Sequence, residues 1–300
     1  MHLLTKLNTD SDNEYVACFL RYEKLLFSTN IFKIIQSKKY SLHFLKSYFC
    51  TLIAKIMNLV IDQGNSTVKA GIFSNEGLFY STVFEKFGKN EVTSLLKQFE
   101  ISNAILSSVV NVECELVNYL DEVFEKFILL DERTPLPIEN LYKTPETLGK
   151  DRIAACVGAN CLKPNANLLV IDAGTAVTYD VVNVKNQYVG GNISPGLEMR
   201  KKALHTFTQK LPLIELEDSV PMFGSTTNEA ILAGVVNGLI YEMEGYISSV
   251  SSVYPNLSIF LTGGDAFYFE KKLKSSIFAN QNLLLVGLNR ILNFKCQKEA

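Results

Sequence analysis

The sequence predicts an α/β protein built from two similar domains, and two observations carry this prediction. From Met57 onward, short apolar segments that are typical of strands alternate with longer segments that are typical of helices. In addition, an apolar strand that ends in Asp-x-Gly and is followed at once by a second strand occurs twice, at Asp62 and, 110 residues later, at Asp172. We therefore expect a duplicated fold with a first domain at 57–166 and a second at 167–300.

The individual elements follow from local patterns. The segment 91–99 has Val92, Leu95, Leu96 and Phe99 at helical spacing, and glycine-containing turns separate the apolar segments that predict strands. The predicted strands are 59–62, 68–73, 104–108, 168–171, 176–182 and 258–261, and the predicted helices are 91–99, 113–127, 151–162, 197–204 and 227–247. The last helix carries the small residues Ala230, Ala233, Gly234 and Gly238, which predicts close packing against another helix, within or between subunits.

Residues 1–56 differ from the rest of the chain in charge. They hold eight Lys/Arg and four Asp/Glu, whereas the remainder holds 21 and 27. Met57 directly precedes the first apolar strand. We interpret 1–56 as an N-terminal extension outside the fold, produced by reading from an upstream start codon; an added helical extension is the alternative. Whether these residues are translated stays open.

The composition argues against several classes of protein. A net charge of -2 provides no basic surface for nucleic acid, and three histidines are too few to favour a histidine metal site or a Ser-His-Asp hydrolase. The six cysteines form no C-x-x-C pair, which indicates free thiols in a reducing cytoplasm. No apolar run reaches the ~20 residues of a membrane-spanning helix. We therefore expect a cytoplasmic protein that binds neither nucleic acid nor a membrane.

The repeated Asp-x-Gly hairpins have the chemistry of a phosphate site. Glycine permits a tight turn with exposed backbone N–H groups, which cradle phosphate oxygens together with hydroxyl and amide side chains. An aspartate at the end of a strand can hold a hydrated Mg²⁺ ion. One copy alone is most simply a β-turn, but the copies at Asp62 and Asp172 share the same context and could grip one polyphosphate from opposite sides. The glycines of Thr262-Gly263-Gly264, after a late strand, could let the backbone lie flat against a nucleotide.

Five segments, taken in order, resemble the type III pantothenate kinases of the actin-like ATPase and sugar kinase superfamily. They are DQGNSTVK at 62–69, GKDR at 149–152, DAGT at 172–175, GGNISPG at 190–196 and TGG at 262–264. The resemblance covers nearly all of 57–300 and none of 1–56. It implies a duplicated ribonuclease-H-like (actin-like ATPase) fold, with two similar domains around an ATP cleft, and a homodimer.

The resemblance also implies an activity. The family transfers the γ-phosphoryl group of ATP to the 4′-hydroxyl of pantothenate, the first step of coenzyme A biosynthesis. It uses Mg²⁺ or another divalent cation, and K⁺ or NH₄⁺. Pantothenate and ATP are therefore the expected ligands.

Carried over residue by residue, the resemblance implies a set of site residues. Asp151 would be the catalytic proton acceptor, and Asp172 would hold the monovalent cation. The ATP site would comprise Asp62, Gln63, Gly64, Asn65, Ser66, Thr67, Val68, Lys69 and Thr175, with Asp62 as a candidate Mg²⁺ ligand. The pantothenate site would comprise Tyr142, Gly149, Lys150, Asp151, Arg152 and Thr227, where Thr226 is an alternative to Thr227.

Several of these residues could also have a purely structural role, without any part in catalysis or binding. Asp151 could be a carboxylate that only stabilises a helix start, Arg152 could form a plain surface salt bridge, and Tyr142 could be packing. The alternative functions are a transcriptional accessory protein on the same fold and another small-metabolite kinase of the superfamily. Retention of Asp62, Asp151 and Asp172 favours catalysis over the first, and GKDR argues against the second.

Overall fold

Two mixed β-sheets form the framework of the protein in this computed structural model, which describes residues 57–65 and 67–299. The extension 1–56 lies outside the described residues. The first sheet contains β1 (Met57–Gln63), β2 (Val68–Ser74), β3 (Gly77–Phe84), β4 (Ile101–Ser108) and β5 (Lys126–Leu129). The second sheet contains β6 (Glu139–Asn140), β7 (Leu168–Ala173), β8 (Ala176–Val182), β9 (Gln187–Pro195), β10 (Ser258–Thr262) and β11 (Phe278–Ala279).

The two sheets repeat one topology. The first has the order β3-β2-β1-β4-β5, and the second has the order β11-β10-β7-β8-β9-β6. Each contains an antiparallel three-stranded meander, β1-β2-β3 or β7-β8-β9, whose first strand pairs in parallel with a later strand, β4 or β10, and that strand pairs in parallel with β5 or β11. The five-strand pattern is therefore duplicated, and β6 is an addition to the second copy. This arrangement confirms the predicted duplicated α/β fold.

Helices cover both faces of both sheets. They are α1 (Lys89–Gln98), α2 (Cys114–Val123), α3 (Lys150–Leu162), α4 (Leu197–Thr206), α5 (Thr227–Val253), α6 (Ala266–Glu270) and α7 (Leu283–Glu299). One apolar core joins α1 and α2 to the outer face of the first sheet, and a second joins α4, α5 and α6 to the outer face of the second. A third core contains α3, α7 and the inner faces of both sheets, so these two helices lie between the sheets.

Helices α3 and α7 approach so closely that glycine is needed on both sides. A Cβ atom at Gly158 would collide with the carbonyl oxygen of Leu283, and one at Gly287 would collide with that of Ala154. Around this crossing, α3 is buried almost throughout, from Arg152 to Asn160. The small residues of α3 therefore serve a backbone-to-backbone contact that joins the two copies of the fold.

Amide side chains tie α7 to the first sheet. Asn58, on β1, is only 6% exposed and donates hydrogen bonds from Nδ2 to Oδ1 of Asn289 and of Asn293, both at 2.8 Å. Its own Oδ1 accepts a hydrogen bond of 3.1 Å from Nδ2 of Asn103 on β4. Because an unpaired buried amide would be costly, this network favours one position of α7 on the sheet.

The structure corrects one sequence-based expectation and places the GGNISPG motif largely in a strand. The helix predicted at 113–127 ends at Val123, and Lys126–Leu129 becomes β5, because it pairs in parallel with β4. Most of Gly190–Gly196 lies in β9, paired with β8, and Gly196 is the N-cap of α4.

The domain boundary predicted at 166/167 stays a prediction. β6 precedes that boundary in sequence but pairs with β9 in the second sheet, and α7 follows it but packs on β1 in the first. Within the described ranges, no helix is long and apolar enough to cross a membrane.

We predict that Gly158→Ala lowers the free energy of unfolding by about 1–3 kcal/mol, because the added methyl group forces α3 and α7 apart. The matched control is Gly245→Ala, since a Cβ atom there meets nothing within 4 Å and alanine favours a helix. Urea unfolding measured by circular dichroism compares the two variants. Equal stability of both variants would contradict the close crossing.

Candidate active site

Three aspartates from different elements converge between the two sheets. Asp62 stands near the end of β1 and Asp172 near the end of β7, each on the inner face of its sheet. Asp151 lies in the first turn of α3, the helix between the sheets. We call Asp62, Asp151 and Asp172 the acid cluster. The duplicated fold thus brings the aspartates of both Asp-x-Gly hairpins close enough to interact electrostatically.

The negative charge of the acid cluster is only partly balanced by the nearby Lys69 ammonium. Burial and the negative charge of Asp151 raise the pKa of Asp62 to about 7, and the Lys69 ammonium opposes this. Burial and Asp151 also raise the pKa of Asp172 to about 6, again against Lys69. Lys69 is the cross-strand partner of Asp62 on β2. Such a site attracts a cation and, through it, a polyphosphate.

Asp151 is oriented by the start of α3. Its Oδ1 accepts a hydrogen bond of 2.8 Å from the backbone N–H of Arg152, and the helix N-terminus stabilises the carboxylate. A Cβ atom at Gly149, the N-cap, would lie 2.5 Å from that same oxygen, so glycine leaves room for the carboxylate. Asp151 and Lys150 are half-buried, which leaves both accessible to a ligand.

The first Asp-x-Gly turn is compact and its tip is exposed. The backbone N–H of Gly64 donates a hydrogen bond of 3.0 Å to the carbonyl of Thr67, which closes the turn. Asn65 and Thr67 are exposed, whereas Val68 is buried on the outer face. Ser66 lies outside the described residues. Among the predicted ATP-binding residues here, Val68 can therefore contribute only its backbone.

Gln63 connects this turn to β4. It is the last residue of β1, and its carbonyl accepts a hydrogen bond of 3.1 Å from the backbone N–H of Val109. Gln63 also lines a cavity of about 220 Å³ next to the Lys89–Glu115 ion pair. No other predicted site residue lines this cavity. The cavity therefore lies beside the acid cluster and is distinct from it.

The second Asp-x-Gly turn packs against the glycine segments. The N–H of Gly196 donates to the carbonyl of Thr175 at 3.1 Å, and a Cβ atom at Gly196 would collide with backbone oxygens of Gly174 and Thr175. Gly263, with φ of +97°, lies against Asp172, and a Cβ atom there would be 2.5 Å from Asp172 Oδ1. Thr175 itself is exposed at the turn. The glycines after β9 and β10 therefore allow close packing around Asp172.

The structure places Arg152 in a buried ion pair, which differs from the surface salt bridge considered from sequence. Arg152 is 6% exposed and Asp180, on β8, is 1% exposed. Nη2 of Arg152 lies 2.6 Å from Asp180 Oδ1, and Nε lies 3.0 and 3.2 Å from the two carboxylate oxygens. Burial opposes the charge of Arg152, but Asp180 outweighs it and raises the pKa of the guanidinium.

Two tyrosines and a glycine complete the surroundings of this pair. The hydroxyl of Tyr188 donates a hydrogen bond of 2.7 Å to Asp180 Oδ1, and the half-buried ring of Tyr142 lies 6.0 Å from that of Tyr188. The guanidinium carbon of Arg152 lies 5.9 Å from the centroid of Tyr142. A Cβ atom at Gly191 would collide with Asp180 Oδ1. The Arg152–Asp180 ion pair therefore requires glycine at position 191 of β9.

Thr227 belongs to a helix that packs on the opposite face of the second sheet from Asp172. It is the exposed first residue of α5, which packs on the outer face of the second sheet. No hydrogen bond or ion pair among the described residues joins it to the three aspartates. The hydroxyl of Thr226 is the N-cap and accepts a hydrogen bond of 3.3 Å from the N–H of Glu229, so it serves the helix.

The roles of the residues that flank the acid cluster could not be predicted from the sequence. Ser107 is the partner of Asp62 on β4, and Thr178 and Thr262 are the partners of Asp172 on β8 and β10. The predicted strands contained Ser107 and Thr178, but only strand order and register show that these hydroxyls adjoin the acids. Asp180, the partner of Arg152, was missed for the same reason.

Comparisons with known proteins agree with this geometry. A sequence model of the type III pantothenate kinase family matches residues 58–249. The chain is 47% identical over 238 residues to the type III pantothenate kinase of Phocaeicola vulgatus, which covers 79% of this chain and 98% of that protein. It is 46% identical over 241 residues to that of Christiangramia forsetii, with the same coverage.

A solved structure supports the fold alone. A Baf family protein from Campylobacter jejuni superimposes with a TM-score of 0.53 at 22% identity, over 80% of this chain and 99% of that one. The family match extends over most of the described residues and includes the acid cluster, so the resemblance seen in the sequence is confirmed. The chain belongs to the type III pantothenate kinase family.

Proposed function

We propose that this protein transfers the γ-phosphoryl group of ATP to the 4′-hydroxyl of pantothenate, the first step of coenzyme A biosynthesis. The observation that carries the proposal is the acid cluster, formed where two copies of the Asp-x-Gly hairpin face the N-terminus of α3 in a member of this kinase family. Phosphoryl transfer to an alcohol requires a carboxylate near the hydroxyl and positive charge near the phosphates.

Asp151 is the proposed proton acceptor. Its Oδ1 is held by the N–H of Arg152, which leaves Oδ2 for the substrate. As the hydroxyl oxygen bonds to the γ-phosphorus, the bond from that phosphorus to the β,γ-bridging oxygen breaks and ADP leaves. The hydroxyl proton passes to Asp151. The transition state is loose, so orientation contributes more than the strength of the base.

The nucleotide site is the first Asp-x-Gly turn. We assign the triphosphate to residues 62–69, where the backbone N–H groups, the exposed side chains of Asn65 and Thr67, and Lys69 are available, and we assign Thr175 to the opposite side. Asp62 would hold Mg²⁺ or another divalent cation, which neutralises charge on the β- and γ-phosphate oxygens when it is bound.

The carboxylates of Asp62 and Asp172 suit cations that are also bound by the phosphates of ATP. Carboxylate oxygens suit hard cations, and Mg²⁺ is bound in proteins by one or two carboxylates, phosphates and water. Across the described ranges, no three His, Cys, Asp or Glu side chains form a ready-made metal site. We assign K⁺ or NH₄⁺ to Asp172.

The pantothenate site is the surface around the start of α3. We assign it to Tyr142, Gly149, Lys150, Asp151 and Arg152. Asp180 already binds Nε and Nη2 of Arg152, so Arg152 has only Nη1 outside these bonds. Lys150, half-buried beside Asp151, adds a positive charge for the pantothenate carboxylate.

A homodimer completes the proposed site. The exposed face of α5 carries Ala230 and Gly234, and a Cβ atom at Gly234 or Gly238 meets nothing within 4 Å. Met222 and Phe223, just before α5, are 71% and 81% exposed. Such a face suits close contact with a second copy, whose Thr227 would then contact pantothenate. We also propose a cytoplasmic location, where ATP is available.

A steady-state assay tests the function and the monovalent cation together. The full chain with Mg-ATP should release ADP only when pantothenate is added, and only in K⁺ or NH₄⁺ buffers. The product should be the 4′-phosphate ester by mass spectrometry. Asp172→Ala should remove most activity and its K⁺ dependence, because the hard oxygen ligand is lost. ADP release without pantothenate would refute the proposed substrate, and equal rates in Na⁺ would refute the cation site.

Asp151→Asn tests the catalytic assignment. The amide keeps the shape but cannot accept the proton, so kcat should fall by about 10²-fold or more. Calorimetric affinity for a non-hydrolysable ATP analogue should change little. Asp121→Asn, an exposed site on α2, is the control and should retain full kcat. If Asp151→Asn turns over normally, Asp151 is only a helix-start residue.

Complementation tests the shared site. Asp151→Asn and Thr227→Arg subunits should each be inactive alone. After subunit exchange, each heterodimer has one site with both changes and one with neither, so an equal mixture should regain up to about a quarter of wild-type activity. Mixtures in which exchange is verified by mass spectrometry but activity stays absent would show that each site is built within one chain.

A further inference from the structure

Two buried hydroxyl groups have no hydrogen-bond partner. Of the side chains in 57–65 and 67–299, Ser107 Oγ and Thr178 Oγ1 are the buried nitrogen or oxygen atoms left unpaired. Ser107 is fully buried; Thr178 is partly exposed as a residue, but its oxygen is not. Because an unpaired buried hydroxyl destabilises a fold, each calls for a physical reason.

Both hydroxyls adjoin the acid cluster. Ser107 on β4 is the register partner of Asp62 on β1, and Thr178 on β8 is the register partner of Asp172 on β7. Side chains of register partners lie on the same face of a sheet, so the two members of each pair are neighbours on that face. Each unpaired hydroxyl therefore stands beside one of the two strand-end aspartates, on the inner face of its sheet.

The surroundings of these hydroxyls favour a cation and its water. Other carboxylates and burial raise the pKa of Asp62 and of Asp172, and the Lys69 ammonium only partly opposes them, so a cation would be attracted to this region. A hydroxyl next to a carboxylate adds a neutral oxygen, which can bind a hard cation directly or hydrogen-bond to its water and to a phosphate oxygen. This accounts for polar atoms that no protein group satisfies.

We propose that Ser107 and Thr178 are ligand-binding residues that complete the two cation sites of the acid cluster. Ser107 acts with Asp62 on the divalent cation–nucleotide complex, and Thr178 acts with Asp172 on the monovalent cation. The inference rests on the proposed function and adds one residue to each site. Without ligands, the two unpaired hydroxyls lower the stability of the protein. They gain hydrogen-bond or cation partners when the ligands bind.

The test separates ligand binding from folding by using thermal unfolding and calorimetry. In Ser107→Ala the unpaired atom is gone, so the ligand-free Tm should be equal to or above that of wild type. The Kd of Mg²⁺ with a non-hydrolysable ATP analogue should rise about 10-fold, as expected for a lost hydrogen bond to a charged group. Its K⁺ dependence should be unchanged.

Thr178→Val keeps the shape of the side chain. Its ligand-free Tm should not fall, while the K⁺ concentration that gives half of the K⁺-induced rise in Tm should increase about 10-fold. Thr178→Ser restores the hydroxyl and should restore the K⁺ response. The matched control is Thr134→Val, because the buried Thr134 hydroxyl is already bonded to Asp131 at 2.7 Å. This control should lower Tm and leave both ligand responses unchanged.

The outcomes distinguish this inference from the proposed function. If wild type binds Mg-nucleotide and responds to K⁺ but Ser107→Ala and Thr178→Val do the same, the hydroxyls are not ligand groups and the proposed function still stands. A lower ligand-free Tm with unaltered ligand binding in both variants would likewise overturn the inference, since it would show a structural role. If wild type fails to bind Mg-nucleotide, the proposed function itself fails.

Discussion

The close crossing of α3 and α7 is the constraint on which the rest of the structure depends. Gly158 and Gly287 allow the two helices to touch backbone to backbone, and both sheets then pack their inner faces on this pair. Because each sheet carries an aspartate on that inner face, near the end of the first strand of its three-stranded meander, the same packing brings Asp62 and Asp172 together. Asp151 joins them because it starts one of the two crossing helices. Packing of glycines and apolar side chains thus determines where the charges meet.

The surroundings of the acid cluster disfavour charged carboxylates and leave polar atoms unpaired. Burial and mutual repulsion raise the pKa of Asp62 and of Asp172, and two adjacent hydroxyls lack partners. By contrast, the nearby Arg152–Asp180–Tyr188 group is buried and satisfied by short hydrogen bonds. These two neighbouring groups therefore have different roles. The Arg152–Asp180–Tyr188 group, whose hydrogen bonds are complete, fixes the start of α3. The acid cluster and the two adjacent hydroxyls that lack partners are the proposed site for cations and phosphates. The proposed mechanism follows from this division.

Much of the fold and part of the site could be predicted from the sequence. The hairpins at Asp62 and Asp172 rest on local signals, since an apolar strand, a glycine turn and a second strand are contiguous in the chain. β3, β5, β6, β9 and β11 were not predicted. β3 is largely exposed, β5, β6 and β11 are short and pair in parallel with strands from which other elements separate them, and the glycines in Gly190–Gly196 obscure the strand pattern of β9. The role of Gly191 depends on Asp180 and Arg152, which only the register of β8 and β9 brings together. Ser107 and Thr178 required the same knowledge of register.

A crystal structure of the complex with Mg²⁺, K⁺, a non-hydrolysable ATP analogue and pantothenate tests the central claim most directly. If Asp62, Asp151 and Asp172 form one reaction site, the triphosphate will lie between the two Asp-x-Gly turns. The 4′-hydroxyl will then be within about 3.2 Å of an oxygen of Asp151, as a proton acceptor requires. A triphosphate bound away from Asp62, or a hydroxyl that faces away from Asp151 while both ligands are fully bound, would contradict the account.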